Sequence, residues 1–277
     1  MTALALPFRR SVGDLLEGPT PHGADEVSLD IIIPAHNEAH RIGPTLHAYR
    51  RGLPHPDMRF IIALDDCDDA TAEIVVCHAE EDSRVEAHVY PKLGKGGVIR
   101  EAFGICRADL VAFVDADGST APEQLLFLIE ASQNSDGAIA SRRLPASSVQ
   151  GNRAVARAAA SVVFAWLVRC LFDLPYRDTQ CGAKVIRRDA LELLLPRVTT
   201  SDLLFDVDLL LQADVLGHHI AEVPTVWIER SGSRVKLIRD LGEVAGSLLR
   251  LWMSQRRSWT GPFATLPEQL DGGHSAA

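Results

Sequence analysis

The chain has 277 residues, of which 47% are hydrophobic, and a formal net charge of −9. That is enough apolar material for one large domain or two small ones with a proper core, and it excludes a disordered chain. The acidic balance, with basic residues scattered apart from short pairs such as Arg142-Arg143, Arg187-Arg188 and Arg256-Arg257, argues against nucleic acid as a partner. Cys67, Cys77, Cys106, Cys170 and Cys181 are odd in number and contain no C-x-x-C pair. Neither a disulfide framework nor a zinc site is suggested, and a reducing cytoplasm fits best. Met1 to Arg10 places its arginines after a short apolar run, the reverse of a signal peptide. The longest apolar stretch, Ala158 to Phe172, is interrupted by Arg169 and falls short of the roughly 20 residues that span a bilayer, so membrane contact would be peripheral, on the inner face.

Residues 1–27 carry glycine, proline and acids without periodicity and read as a mobile leader. Leu29 to Pro34 is a β-branched run ended by proline, and Ala35 to Glu38 is a turn into a helix through Tyr49. Arg59 to Leu64 predicts a second buried strand that ends in the acidic cluster Asp65-Asp66-Cys67-Asp68-Asp69, with a helix from Ala70 to Glu80. Val85 to Tyr90 follows as a strand, Lys92 to Gly97 as a flexible basic loop, and Val98 to Cys106 as a helix. Val111 to Val114 is a short buried strand delivering Asp115-Ala116-Asp117 and a glycine, and Thr120-Ala-Pro-Glu123 matches a capping box for a helix over Gln124 to Glu130.

The second half predicts a strand at Gly137 to Ser141, a loop with Arg142, Arg143, Arg153 and Arg157, and a long helix over Ala154 to Phe172. A polar loop from Asp178 feeds a short strand ending near Arg188, Asp202 to Val215 forms a helix with Asp206 and Asp208, and Ile220 to Ile228 is the last strand. Val235 to Trp252 reads as an amphipathic helix. The expected organisation is one domain over residues 28–234, a C-terminal amphipathic helix within 235–257 and a disordered tail over 258–277. Strands alternating with helices give an α/β class with a mostly parallel sheet covered on both faces, and ligands beyond the carboxyl ends of its strands.

An Asp-x-Asp turn at a strand end supports three readings. It can bind a hard divalent cation that holds phosphate, cap the following helix, or act as the nucleophile turn of a haloacid dehalogenase-like phosphatase. The phosphatase motif normally opens the first strand of its chain, whereas this one has other candidate strands before it.

Taken in order, Ile33 to Glu38, the Asp65 to Asp69 cluster, Lys95-Gly-Gly97 and Asp115-Ala-Asp117 resemble the GT-A glycosyltransferases of family 2. Ser141-Arg-Arg143, Asp178 to Lys184, Phe205-Asp-Val-Asp208 and Gly232 to Lys236 are similar to its polyprenyl-phosphate branch, of the dolichyl-phosphate glucosyltransferase kind. The resemblance implies a GT-A fold and a metal-dependent inverting transfer of a hexose from a nucleotide-sugar, with UDP-glucose the favoured donor and polyprenyl phosphate the favoured acceptor. A hydroxyl on a small-molecule acceptor stays open as the alternative, as do, from other classes, the phosphatase and a non-catalytic nucleotide-sugar sensor. A homodimer is a further open partner.

By the same resemblance Pro34, Ala35, Glu38 and Asp66 match donor-contacting positions, Lys95 matches the lysine before the third helix, and Asp115, Ala116 and Asp117 border the diphosphate. Asp115 and Asp117 would hold Mg²⁺ or Mn²⁺. Independently of the resemblance, Arg142, Arg143 and Arg153 are either fixed positive charge for the diphosphate or an acceptor phosphate or ordinary solvated surface residues. By the resemblance Asp206 matches the family's base, a role needed only if the acceptor is a hydroxyl. Asp206 and Asp208 could also be the polar face of a surface helix. Cys181 reads as a small packing residue.

Overall fold

A computed structural model describes residues 28–151, 155–230 and 241–259. Arg153 and the Gly232 to Lys236 motif lie outside the described residues. Seven strands form the main sheet: β1 (Leu29–Ala35), β2 (Met58–Asp65), β3 (Val85–Tyr90), β4 (Leu110–Phe113), β5 (Gly137–Ser141), β7 (Lys184–Arg187) and β8 (Ile220–Pro224). Their order is β3-β2-β1-β4-β7-β5-β8, and a two-stranded ribbon pairs β6 (Ser148–Gln150) with β9 (Val226–Ile228). The pairs β1·β2, β1·β4, β2·β3 and β5·β8 are parallel, while β7 runs antiparallel to both of its neighbours.

β1 shows why the sheet is central. Its residues from Leu29 to Ile33 are all fully or almost fully buried, because both faces are covered. Ile31 and Ile33 join the core beneath α1 (Ile42–Gly52), α2 (Thr71–Glu81) and α4 (Pro122–Ser132). Ile32, pointing the other way, joins the core beneath α3 (Gly94–Phe103), α5 (Val155–Phe172), α6 (Arg188–Leu194), α7 (Phe205–Val215) and α8 (Leu241–Trp259). The buried Asp30, near the amino end of β1, is held bidentately by Arg59 at 2.8 Å on both oxygens and accepts the backbone N–H groups of Arg107 and Ala108. That buried carboxylate is thus fully satisfied.

Several boundaries differ from the sequence expectations. Residues 94–97 of the expected basic loop are the first turn of α3, in which Gly96 packs so closely that a Cβ would lie 2.5 Å from Phe205. Composition suggested flexibility, but those glycines serve close helix packing. The capping box fails: Ala121 is the N-cap without a side-chain bond, and Thr120 bridges Trp227 while its carbonyl accepts the Tyr49 hydroxyl. The expected last strand divides at Thr225 into β8 and β9, which serve different sheets. The last helix is described from Leu241 through Trp259, past the expected end at Trp252.

Candidate active site

A parallel sheet opens a crevice where neighbouring crossovers leave in opposite directions. Here that point lies between β1 and β4, since β2 and β3 extend the sheet to one side and β4 begins the other. A cleft of about 390 Å³ occupies it, lined by Pro34 and Ala35 at the end of β1 and Glu38 after it, Lys95 on α3, Asp115, Ala116 and Asp117 after β4, and Arg142, Asp206 and Trp227 from the second half.

The Asp-x-Asp turn is built by its surroundings. Gly118 adopts φ +68, the Thr45 hydroxyl on α1 donates to the Ala116 carbonyl at 3.0 Å, and the Asp117 carboxylate accepts the Ser119 N–H at 2.9 Å. Burial, and then the negative charge of Asp115, push the Asp117 carboxyl above its ordinary value. A cation beside the pair would relieve that penalty on Asp117. Their hard oxygen donors fit Mg²⁺ or Mn²⁺, with the remaining ligands left to phosphate and water; no cluster of three or more protein ligands occurs among the described residues.

The antiparallel direction of β7 carries the second half into the site. Phe113 of β4 is paired with Lys184, so the loop before β7 meets the carboxyl end of β4. At Gly182 a Cβ would overlap the Asp115 carboxylate, which explains the need for glycine there. Lys184 is only 1% exposed; its ammonium donates to Asp206 Oδ1 and to the Cys181 carbonyl, both at 2.7 Å. Lys95 lies 3.0 Å from Asp115 Oδ1 and 3.3 Å from Asp206 Oδ2. A chain of alternating charge therefore runs Asp115, Lys95, Asp206, Lys184 across the cleft. Burial alone would raise the Asp206 carboxyl, but Lys184 and Lys95 outweigh it and hold it below the ordinary aspartate value.

Arg142 is fixed in the same manner. Its Nε and Nη2 reach Asp178 at 2.7 and 2.9 Å, and its guanidinium stacks 5.0 Å from the Trp227 ring centroid. Burial opposes ionisation of Asp178, yet Arg142 leaves its carboxyl below the ordinary value. Cys181 is completely buried and its thiol is pushed up to about 12 by that burial, as suits a packing residue.

The expected residues Pro34, Ala35, Glu38, Lys95, Asp115, Ala116, Asp117, Arg142 and Asp206 thus converge on one cleft. Asp66 does not join them. It is exposed, at φ 49, and the cleft wall is instead Asp65, whose carboxylate accepts the N–H groups of Leu93 and Gly94. The reason is that β2 ends at Asp65 and the chain turns through a left-handed conformation at Asp66, which takes its side chain out of the strand's register. Asp206 and Asp208 are buried, contrary to a surface-helix reading; Asp208 accepts the N–H groups of Thr199 and Thr200. Sequence reasoning gave no role to Lys184 or Trp227. A lysine abutting the apolar Val185-Ile186 was the available signal, because a lysine drawn into a buried strand requires an acid.

The family model for glycosyl transferase family 2 matches residues 30–194, which include β1, the Asp-x-Asp turn and the loop before β7. The chain belongs to glycosyl transferase family 2. Among its family relatives, it is 32% identical to glycosyltransferase AglD of Haloferax volcanii over 84% of this chain and 38% of that protein. It thus spans well under half the length of that relative. It is 31% identical to the undecaprenyl-phosphate mannosyltransferase of Micrococcus luteus over 85% of this chain and 97% of the other, and 28% identical to the dolichyl-phosphate beta-glucosyltransferase of Dictyostelium discoideum over 86% and 77%. In fold it is similar to glucosyl-3-phosphoglycerate synthase from Mycobacterium tuberculosis, with a TM-score of 0.65 at 16% identity over 90% of this chain and 85% of that one. The mostly parallel sheet is the GT-A fold.

Proposed function

We propose that this family 2 glycosyltransferase moves a hexose from a nucleotide-sugar, with UDP-glucose the favoured donor, to a polyprenyl phosphate with inversion at the anomeric carbon. The observation that carries the acceptor class is the pairing of Asp206 with Lys184 and Lys95. A hydroxyl acceptor needs a base to take its proton, and a carboxylate whose two oxygens are each held by an ammonium is a poor one. A phosphate monoester is already ionised and attacks without that help. Asp206 then positions the lysines rather than moving a proton. Relatives whose names specify undecaprenyl-phosphate or dolichyl-phosphate transfer support the same reading.

In this reading Pro34, Ala35 and Glu38 border the nucleoside. Asp115 and Asp117 would hold Mg²⁺ or Mn²⁺, which supplies charge neutralisation for the diphosphate leaving group. Lys95 and Arg142 contribute fixed positive charge where the bond from sugar to diphosphate breaks and one acceptor oxygen bonds to the anomeric carbon. Radiolabelled UDP-glucose, Mn²⁺ and a short-chain polyprenyl phosphate test this directly. Label extractable into organic solvent is expected, and label confined to water-soluble hydroxyl acceptors would overturn the acceptor class.

A further inference from the structure

α5 is apolar on both sides. Phe164 and Val168 face the core, while Ala159, Val162, Val163, Trp166 and Cys170 form an outward stripe spaced three and four residues apart. Trp166 is 62% exposed and Val162 56%. α8, which packs beside it, repeats the pattern, with Leu248 and Leu251 buried and Ala245, Leu249 and Met253 turned outward. Exposed apolar side chains on two adjacent helices mark a docking surface rather than scattered solvation.

Charge identifies the occupant. By sequence α5 contains two arginines and no acid, and α8 three arginines and one glutamate, so the two helices carry +4 within a chain of net −9. The exposed Arg169 and Arg250 belong to this cationic zone. An apolar face with an exposed tryptophan and a basic surround is complementary to the headgroup region of an anionic bilayer. The surface also adjoins the site: Ser161, next to Val162, lines the cleft, and Arg143 Nη2 donates to its carbonyl at 2.7 Å. Among the described residues no helix is long and apolar enough to cross a membrane.

From this we infer that the outer faces of α5 and α8 form a docking surface for an anionic phospholipid bilayer, with the cleft opening beside it. The inference deepens the lipid-acceptor reading and serves it, but its test needs neither donor nor turnover. The full chain is sedimented with phosphatidylcholine vesicles alone or mixed with phosphatidylglycerol. Binding to the mixed vesicles that weakens with salt is expected, with Val163→Asn combined with Trp166→Ser lowering it at least about tenfold. Arg169→Gln with Arg250→Gln should weaken it several-fold on mixed vesicles alone. Val89→Asn, at an exposed site on β3, should bind as the parent does. No binding to mixed vesicles, or binding indifferent to the Val163 and Trp166 changes, overturns the inference. So does a dimer in sedimentation velocity that those changes dissolve without any vesicle binding, which would assign the face to a second copy. Intact vesicle binding with no lipid-extractable product would instead overturn the acceptor reading alone.

Discussion

The two halves of the cleft treat their carboxylates in opposite ways. In the turn after β4, Asp115 and Asp117 lie close together, and the Asp115 side chain keeps 32% of its exposure with Lys95 as its cationic partner. From the second half of the chain, Asp178 and Asp206 are buried and fully engaged, by Arg142 and by two lysines respectively. Acids left close and underneutralised are poised to take a ligand, whereas acids locked to cations serve to aim those cations. The difference identifies which residues respond to ligand and which to folding.

Replacing Lys184 with Met attacks the locked side and should have the largest effect, destabilising the chain by about 3–5 kcal/mol because Asp206 loses its closest buried partner. Urea denaturation measures it, and a cost below 1 kcal/mol would show that Asp206 does not depend on Lys184. On the ligand side, Asp117→Asn should reduce Mn²⁺-dependent binding of UDP-glucose about a hundredfold in calorimetry while leaving the fold intact. Unchanged affinity would refute the metal assignment. Gly182→Ala links the two sides, since its methyl group displaces the Asp115 carboxylate. About a tenfold loss of donor affinity with about 1 kcal/mol of stability is expected, and an unaltered affinity would mean that Asp115 has room to move.

Acid titration sharpens the contrast with a smaller effect. Asp178 and Asp206 lie below their ordinary value of 3.8 in the fold, so their stabilisation is complete above that value and is lost as pH falls through their folded values. Asp117 lies above it, so its burial penalty is relieved as pH falls towards and below its folded value. Melting curves between pH 7 and 2 should therefore drop chiefly below pH 3.8, and Asp178→Asn should flatten that drop. An equally steep acid limb in the variant would remove Asp178 from the account.

Most of the architecture was legible because it depends on local pattern. Alternating buried strands and helices specify a covered sheet, and acids clustered after strands specify the edge where ligands gather. The Asp115-Ala-Asp117 turn and Arg142 could be singled out from the residues beside them. Lys92 to Gly97 misled, because glycines that admit Phe205 look the same in sequence as glycines that provide a flexible loop. Thr120 misled because a capping pattern is local, while its pairing with Trp227 joins residues far apart in the chain.

By itself, the sequence determined the layered α/β class, the acidic turn at the centre of the cleft and the ordered set of motifs that marks the family. Tertiary structure alone decided that Asp65 rather than Asp66 faces the cleft, that Lys184 closes on Asp206, and that Gly182 abuts Asp115. The Gly182 and Lys184 outcomes follow from strand pairing: reversing β7 beside β4 brings residues about 70 positions apart into contact, and no local periodicity encodes which partner a buried charge will meet.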